Sequence, residues 1–366
     1  MSASNNDNIV LVASCLPGFA DALAIESERH NMTVTSKNDS YLIIEGSVID
    51  SYSMITCSQT AIGMMVLLGR MDYNGMFTPQ NNITGIKSIM DDKFKIVSRD
   101  IAHDTIMAVS NMITKEMGLE PSLDNYNLPI GIIEDNGNHI IGINAYSHDY
   151  HKRDYRVYSS RQSSNPVLYA SLLELAINNN TNSMIDFLCQ DGTFCIEYAL
   201  RESNTIRRHN SHMMTRLLIE DIYNNINVDY YEPSSGIYCY DESMPSIAKA
   251  RHNSRLAGVE RHIRFGRMNI DYIPLSHEPN SISLIASKLP LLSQSYNKKM
   301  YTGLARRLLK TANKILCDDG KIVLLSNEKD ILLDIMREHG FTHYNIMEYS
   351  KGESLLYGII GSRGGL

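Results

Sequence analysis

The sequence predicts an α/β protein: a mainly parallel C-terminal sheet covered on both faces, preceded by an α+β module. Three observations carry this. From residue 166 onward, apolar runs of helical and strand period alternate, as consecutive βα units do. Before residue 147 the runs come as strand, helix, strand, strand, followed by a hairpin. Between the two, 148–165 is polar and aromatic-rich with few apolar residues to bury, and is expected to be a linker. At 366 residues the chain exceeds one ordinary domain. The expected borders are 1–68, 69–147, 148–165 and 166–366.

The elements follow in order. An apolar run at 9–13 is a strand, Pro17-Gly18 a turn, and 19–30 a helix by its periodicity. Strands at 33–35 and 41–44 flank the polar turn Lys37-Asn38-Asp39, and 53–68 is expected to be a second apolar helix. In the next stretch 94–97 is a strand and 100–117 a helix with Ile101, Ile106, Val109 and Ile113 on one face. Strands 130–133 and 139–143 form a hairpin around Asn136-Gly137. From Pro166 the order is helix 167–177, strand 184–188, a helix from Thr193, strand 237–240 ending at Asp241, helix 244–257 and strands 263–265 and 282–286. Helix 300–316, strand 322–325, helix 330–339 and strands 344–348 and 355–360 complete it.

A hydrophobic content of 43% with 20% charged residues is globular, and no apolar run approaches the roughly 20 residues that span a bilayer. Residues 1–8 lack a basic region before the first apolar stretch, so a loose tail is expected rather than a signal peptide, and a cytoplasmic location follows. The six cysteines are scattered in apolar runs, and Cys189/Cys195 lack metal-ligand spacing. No metal is expected, and nothing resembles a Ser/His/Asp arrangement. The net charge of −7 argues against a strongly basic nucleic-acid binder, although a local basic face can still bind phosphates. Two basic clusters stand out: His148, His151, Lys152, Arg153 and Arg156, and then Lys249, Arg251, Arg255, Arg261, Arg264 and Arg267 opposed by Glu260. Solvated faces are the plain alternative for both. His209 and His212 read as solvated surface, and the 19 methionines as adaptable core. Tyr230, Tyr231 and Tyr296 are equally suited to stacking and to packing.

The stretch 185–197 carries the most chemistry. It reads as a buried strand, a tight loop and the start of a helix, which is where an α/β fold places a nucleotide-type ligand. Gly192 permits one close approach of backbone to ligand, whereas Gln190 adds a side chain and, at positive φ, costs about 1 kcal/mol or more. Asp191 adds negative charge. Asp241 ends the second strand and Asn269 follows the third, so acid and amide stand where such folds bind ribose and base.

This stretch resembles the first motif of class I RNA methyltransferases, Asp-Pro-x-Cys-Gly-x-Gly-Thr followed by a helix with a Glu. Asp186, Cys189, Gly192, Thr193 and Glu197 match, while Phe187 and Gln190 depart. The run 142–156, with Ser147, His151-Lys152-Arg153 and Tyr155-Arg156, resembles the Ser-Leu-His-Lys-Arg-Gly-Tyr-Arg signature that precedes the catalytic domain of THUMP-containing RNA methyltransferases. Asn165-Pro166-Val167 stands where these carry Ala-Pro-Leu, and 251–259 resembles their Ala-x-x-Asn-x-x-x-Ala-Gly-Val helix end. The branch resembled is that of the archaeal and bacterial tRNA guanine-6 N2-methyltransferases.

The resemblance implies a ferredoxin-like domain and a THUMP domain, together an RNA-binding module, ahead of a Rossmann-like methyltransferase domain. It implies S-adenosyl-L-methionine (SAM) as cofactor, with Asp186, Cys189, Gly192, Thr193, Asp241 and Asn269 around it, and Glu197 supporting the loop. It also implies tRNA as partner, held by its acceptor end, and a monomer that engages no membrane. His151, Lys152, Arg153 and Arg156 would then contact phosphates, which position RNA without reading sequence. The rival for Arg153 and Arg156 is pairing with carboxylates.

The fourth strand departs most. The family's catalytic loop is Asn-(Pro/Leu)-Pro-Tyr, and here Lys288-Leu289-Pro290-Leu291 stands in its place. In the family the Asn oxygen and a neighbouring carbonyl accept from an exocyclic amine; Lys288 has donors only. It can instead donate to a purine O6, and guanine N7 needs no deprotonation before methylation. With Lys288, Leu289 and Pro290 as the expected catalytic group, three readings stay open: methylation of guanine N7 in tRNA, methylation of N2, and an RNA-binding pseudoenzyme. A small-molecule methyltransferase leaves the N-terminal module without a purpose.

Overall fold

The computed structural model describes residues 8–80, 93–98, 101–145, 150–159, 163–204, 236–293, 296–351 and 354–363. The readings made for Asp100, Ser147, His148, His209, His212, Tyr230 and Tyr231 lie outside the described residues. What is described forms two compact units, 8–15 with 23–150, and 151–363 joined by the short segment 16–22.

The first unit runs β1 (Ile9–Cys15), α1 (Ala20–Arg29), β2 (Thr33–Lys37), β3 (Tyr41–Gly46), α2 (Val48–Cys57), β4 (Ala61–Met71) and β5 (Phe77–Pro79). It continues with β6 (Lys93–Ile96), α3 (His103–Met117), β7 (Glu120–Pro121), β8 (Leu128–Asp135) and β9 (Asn138–Asn144). The strands make one nine-stranded sheet in the order β2-β3-β1-β4-β9-β8-β6-β7, with β5 on β4. The expected border at 68/69 falls inside β4, where Val66 pairs with Leu11 of β1 on one side and Ile143 of β9 on the other.

The expected helix at 53–68 is two elements. The α2 helix ends at Cys57, and Ala61–Met71 is a central strand. A strand buried on both faces reads as a continuous apolar run, which periodicity does not separate from a buried helix. The break between them is built from a distance: the buried Glu26 carboxylate of α1 accepts from the Ser58 hydroxyl (2.7 Å) and the Gln59 and Thr60 amides (2.6 and 3.0 Å). Burial alone would raise its pKa, but Arg29, His30 and these donors outweigh it and hold the carboxyl at about 2. The hairpin at Asn136-Gly137 has φ of 52° and 80°, the left-handed pair that a tight two-residue turn requires.

The second unit runs α4 (Pro166–Ala176), β10 (Ser183–Asp186), α5 (Thr193–Ser203), β11 (Gly236–Asp241), α6 (Met244–Leu256), β12 (Ile263–Arg267) and β13 (Ile282–Lys288). It ends with α7 (Lys298–Ile315), β14 (Leu316–Ser326), α8 (Lys329–Glu338), β15 (His343–Lys351) and β16 (Ser354–Ser362). The sheet is mixed, in the order β12-β11-β10-β13-β14-β16-β15. Strands β10 to β14 pair in parallel, and β16 pairs antiparallel with both β14 and β15. Its core includes Ile285, Leu289, Leu308, Leu324 and Phe341, with the buried face of α7 supplying Tyr301, Ala305, Leu308, Leu309 and Ala312 at helical spacing. Strand order reverses between β10 and β13, so their carboxyl ends flank the crevice where open α/β sheets bind ligands.

Candidate cofactor and substrate site

The crevice is built from the ends of four strands. All four residues of β10 are buried, and the strand ends at Asp186. Its Oδ1 accepts from the Leu188 amide (3.0 Å) and the Ser287 hydroxyl (2.8 Å), and that hydroxyl accepts from the Phe187 amide (3.0 Å). The end of β10 is thereby stapled to the end of β13. Burial pushes the Asp186 carboxyl up to about 8 against these two donors, and the nearby Asp241 and Asp191 add to the rise.

The loop then turns on Gln190, whose φ of 52° is left-handed. Its amide N–H donates to Asp241 Oδ2 (3.0 Å), and its side-chain Nε2 donates to the Lys288 carbonyl (3.2 Å). The other Asp241 oxygen accepts from the Ser243 amide at the start of α6 (2.9 Å). Gln190→Gly removes the left-handed strain of about 1 kcal/mol but also a hydrogen bond and some unfolded-state restriction. Its folding stability should therefore stay within about 1 kcal/mol of wild type. Losing the tether from Gln190 to the Lys288 carbonyl should loosen the loop and weaken S-adenosylhomocysteine (SAH) several-fold by calorimetry, whereas unchanged binding would show that the tether does not order the cofactor loop.

Asp191 is held on several sides. Its Oδ1 accepts from Thr193 Oγ1 (2.7 Å) and the Thr193 amide (3.4 Å), and Asn253 Nδ2 donates to its carbonyl (2.9 Å). Gly192 has φ of 81°, and a Cβ there would stand 2.8 Å from Ala250 Cβ, so glycine lets α5 start against α6. Cys189 and Thr193 are buried side chains. Cys189 contributes its amide, bonded to the Tyr240 carbonyl (2.9 Å), while burial pushes its thiol up to about 12 against a hydrogen bond with Cys239. Both were expected around the cofactor; the Thr193 hydroxyl is engaged by Asp191, and Cys189 holds the loop through its amide.

Asn269 also differs from expectation. Its Oδ1 already accepts from the Asp271 amide (3.0 Å) and Arg307 (2.9 Å). An amide oxygen has two lone pairs, so it has no room for an adenine amine unless Arg307 leaves. Arg307, from α7, also reaches Asp271 (3.0 Å) and Glu242 (3.4 Å). No local pattern marks this clamp, whose members lie 36 to 65 residues apart.

At the end of β13 the expected catalytic trio is divided. Leu289 is fully buried in the core, because its amide bonds to the Leu325 carbonyl (3.0 Å) and extends the sheet pairing by one residue. Its side chain, expected in the catalytic group, is packed into the core instead. Lys288 is 2% exposed, so its carbonyl, gripped by Gln190, is the atom placed with the loop. Pro290 is half-buried.

The segment before α4, expected to be a linker with few apolar residues to bury, is anchored through polar side chains. Arg153 is buried, and its guanidinium forks onto Glu197 of α5 (2.9 and 3.3 Å), which also accepts from the Tyr155 hydroxyl (2.7 Å). That corrects the expectation of a phosphate contact for Arg153: the rival carboxylate pairing holds, because a buried cation requires a buried partner. Glu197 serves this segment. Arg156 pairs with Asp191 (3.3 Å). Asn253 joins in by donating to the Tyr158 carbonyl (2.9 Å) and accepting from its amide (3.1 Å). Sequence reasoning passed over Asn253, although it stands at the Asn of the helix-end motif. His151 and Lys152 are exposed.

The second basic cluster is largely engaged with its own surroundings. Arg255 pairs with Glu260 (2.7 Å), Arg251 lies over the Phe265 ring (5.3 Å), Arg264 lies over Tyr238 (5.5 Å), and Arg267 donates to the Glu242 carbonyl (3.0 Å). Tyr296 packs against the core. Among the described residues no three His, Cys, Asp or Glu side chains are grouped to hold a metal ion, and no helix is long and apolar enough to cross a membrane.

A switch-point crevice with an acid at the second strand end and a glycine-bearing loop at the first is the site of an α/β enzyme that binds a nucleotide-like cofactor. Residues 153–355 match the UPF0020 family, described as RMKL-like, methyltransferase domain, and the chain belongs to that family. SAM is its methyl donor. The residues fit it: the loop after β10 turns left-handed at 190 and 192, and Asp241 stands at the next strand end. The chain is 21% identical over 344 residues to ribosomal RNA large subunit methyltransferase K/L of Acinetobacter baumannii (strain AYE), covering 81% of this chain but 46% of the relative, so it spans about half that protein's length. A possible methylase from Clostridium difficile 630 has the same fold, with TM-score 0.73 and 19% identity over 97% of this chain and 98% of that one. So does SMU.472 in complex with SAH, with TM-score 0.70 and 14% identity over 99% and 100% of the two chains.

Proposed function

We propose that the protein methylates a guanine of tRNA from SAM, at N7. In this reading residues 1–68 and 69–147 are the ferredoxin-like and THUMP parts of one RNA-binding module that presents the tRNA by its acceptor end. His151 and Lys152 contact its phosphates, and the protein acts as a cytoplasmic monomer. The observation that carries the reading is the crevice itself, where three strand ends converge: Gln190 bonds to Asp241 and to the Lys288 carbonyl, and Asp186 bonds to Ser287.

The cofactor supplies an electrophilic methyl group. The chain's part is to hold the base in line, exclude water and impose orientation. Asp241 fixes the loop and meets the ribose; the Asp186–Ser287 staple keeps the β10 and β13 ends together. The cofactor would supply the methyl group to the N7 lone pair and leave as SAH, with no proton for the chain to remove. Position 288 carries no side-chain acceptor for an amine, which favours N7. One observation favours a second reading: the Gln190 amide, bonded to the Lys288 carbonyl, brings an amide oxygen close to where the family's Asn acts, which suits N2.

The test is transfer from labelled SAM to unmodified tRNA and, in parallel, to a large-subunit rRNA fragment, with nucleosides identified by mass. Labelled 7-methylguanosine in tRNA is expected, and Asp241→Ala should lower the yield about a hundredfold by losing two backbone anchors as well as the ribose contact. N2-methylguanosine would select the second reading. Label in rRNA alone would move the substrate, and tRNA binding without label would indicate a pseudoenzyme.

A further inference from the structure

Arg156 belongs to two structures at once. On one side its Nε and one terminal nitrogen donate to Asp191 Oδ2 (3.4 and 3.3 Å), and the other terminal nitrogen donates to the Ser164 carbonyl (2.6 Å). Ser163 Oγ donates to the same Asp191 oxygen (2.5 Å). Arg156 also lines a pocket of about 640 Å³ with His151, Lys152, Ser159, Ser163 and Tyr349. Two cations, an imidazole and two hydroxyls around one hollow match the oxygens of a phosphate, and a guanidinium has five donors in a planar fork suited to share them. Asp191 belongs to the cofactor loop: its other oxygen accepts from both donors of Thr193 at the start of α5.

We infer that this pocket holds a backbone phosphate of the RNA and that Arg156 transmits its occupancy to the cofactor loop. The inference rests on the reading that the substrate is RNA. A phosphate sharing the fork fixes the Arg156 side chain, which fixes Asp191, which steadies the turn at Gln190 and Gly192. Phosphate and cofactor then bind with positive coupling, and the coupling is reciprocal. Arg156 is a positioning residue in this scheme, acting through Asp191.

The experiment measures SAH affinity of the full chain by calorimetry, alone and with saturating oligouridylate, which has backbone phosphates and no guanine to methylate. Oligouridylate should tighten SAH at least threefold. Arg156→Lys keeps the charge but loses the fork; it should still bind oligouridylate while the coupling disappears. Asp191→Asn, which removes the charge that Arg156 grips, should uncouple as well. Equal SAH affinity with and without oligouridylate, or coupling that survives in both variants, overturns the inference. Coupling by inorganic phosphate but not by oligouridylate would assign the pocket to a free anion and overturn the RNA source. Because the probe lacks guanine, failure of guanine methylation leaves this readout intact, and a null coupling leaves the methylation assay intact.

Discussion

Glu197→Ala should destabilise the second unit by about 3–5 kcal/mol, the usual loss when one member of a buried ion pair is removed. The Arg153 and Glu197 side chains are 2% and 0% exposed. The variant leaves a guanidinium without its carboxylate inside the protein and takes from the Tyr155 hydroxyl its acceptor. The loss exceeds what the pair contributes to stability, because most of it is the cost of an uncompensated buried charge. Replacing both members by apolar residues, as in Arg153→Met with Glu197→Leu, should therefore recover most of it. The chain has no tryptophan, so urea unfolding is followed by far-ultraviolet circular dichroism. A loss below about 1 kcal/mol for Glu197→Ala would mean that water reaches the pair.

Asp186 should give the second unit a stability that declines as pH rises from about 4 to about 8. Its carboxyl titrates near 3.8 when unfolded and is pushed up to about 8 when folded, chiefly by burial. Between those values the folded chain holds the proton and the unfolded chain has lost it, so raising pH favours unfolding. Stability falls by about 1.4 kcal/mol for each pH unit crossed between the two values, which makes the whole window worth several kcal/mol. Below pH 4 the effect vanishes, and above 8 it is constant. Asp186→Asn cannot titrate, so its stability relative to wild type should rise through the window and then level off. A constant difference from pH 5 to 9 would show that Asp186 is ionised in the folded protein.

The C-terminal half was legible because its periods alternate cleanly and its strand ends carry their own markers, as at Asp186 and Asp241. The apolar run 61–68 was not, since a doubly buried strand and a buried helix share a pattern, and the Glu26 contact that breaks it lies more than thirty residues away. The site was legible as a set of positions but not as a set of roles. Cys189 and Thr193 fit the motif letter for letter, yet their side chains are buried, with the Thr193 hydroxyl already bonded to Asp191. Arg153 and Lys152 are neighbours in sequence, and only the fold shows that one is buried against Glu197 while the other faces solvent. Arg307, brought to Asn269 by the packing of α7, had no local signature at all.

The position of β16 has a consequence for how the chain is made. The last described strand lies inside the sheet, hydrogen-bonded to β14 on one side and β15 on the other. A nascent chain that has emerged only through residue 351 must hold β14 and β15 with no strand between them, each presenting an open edge. Closure of the sheet therefore waits until 354–362 has left the ribosome. Until then the half-made domain depends on chaperones or on speed to keep those edges from pairing with another chain.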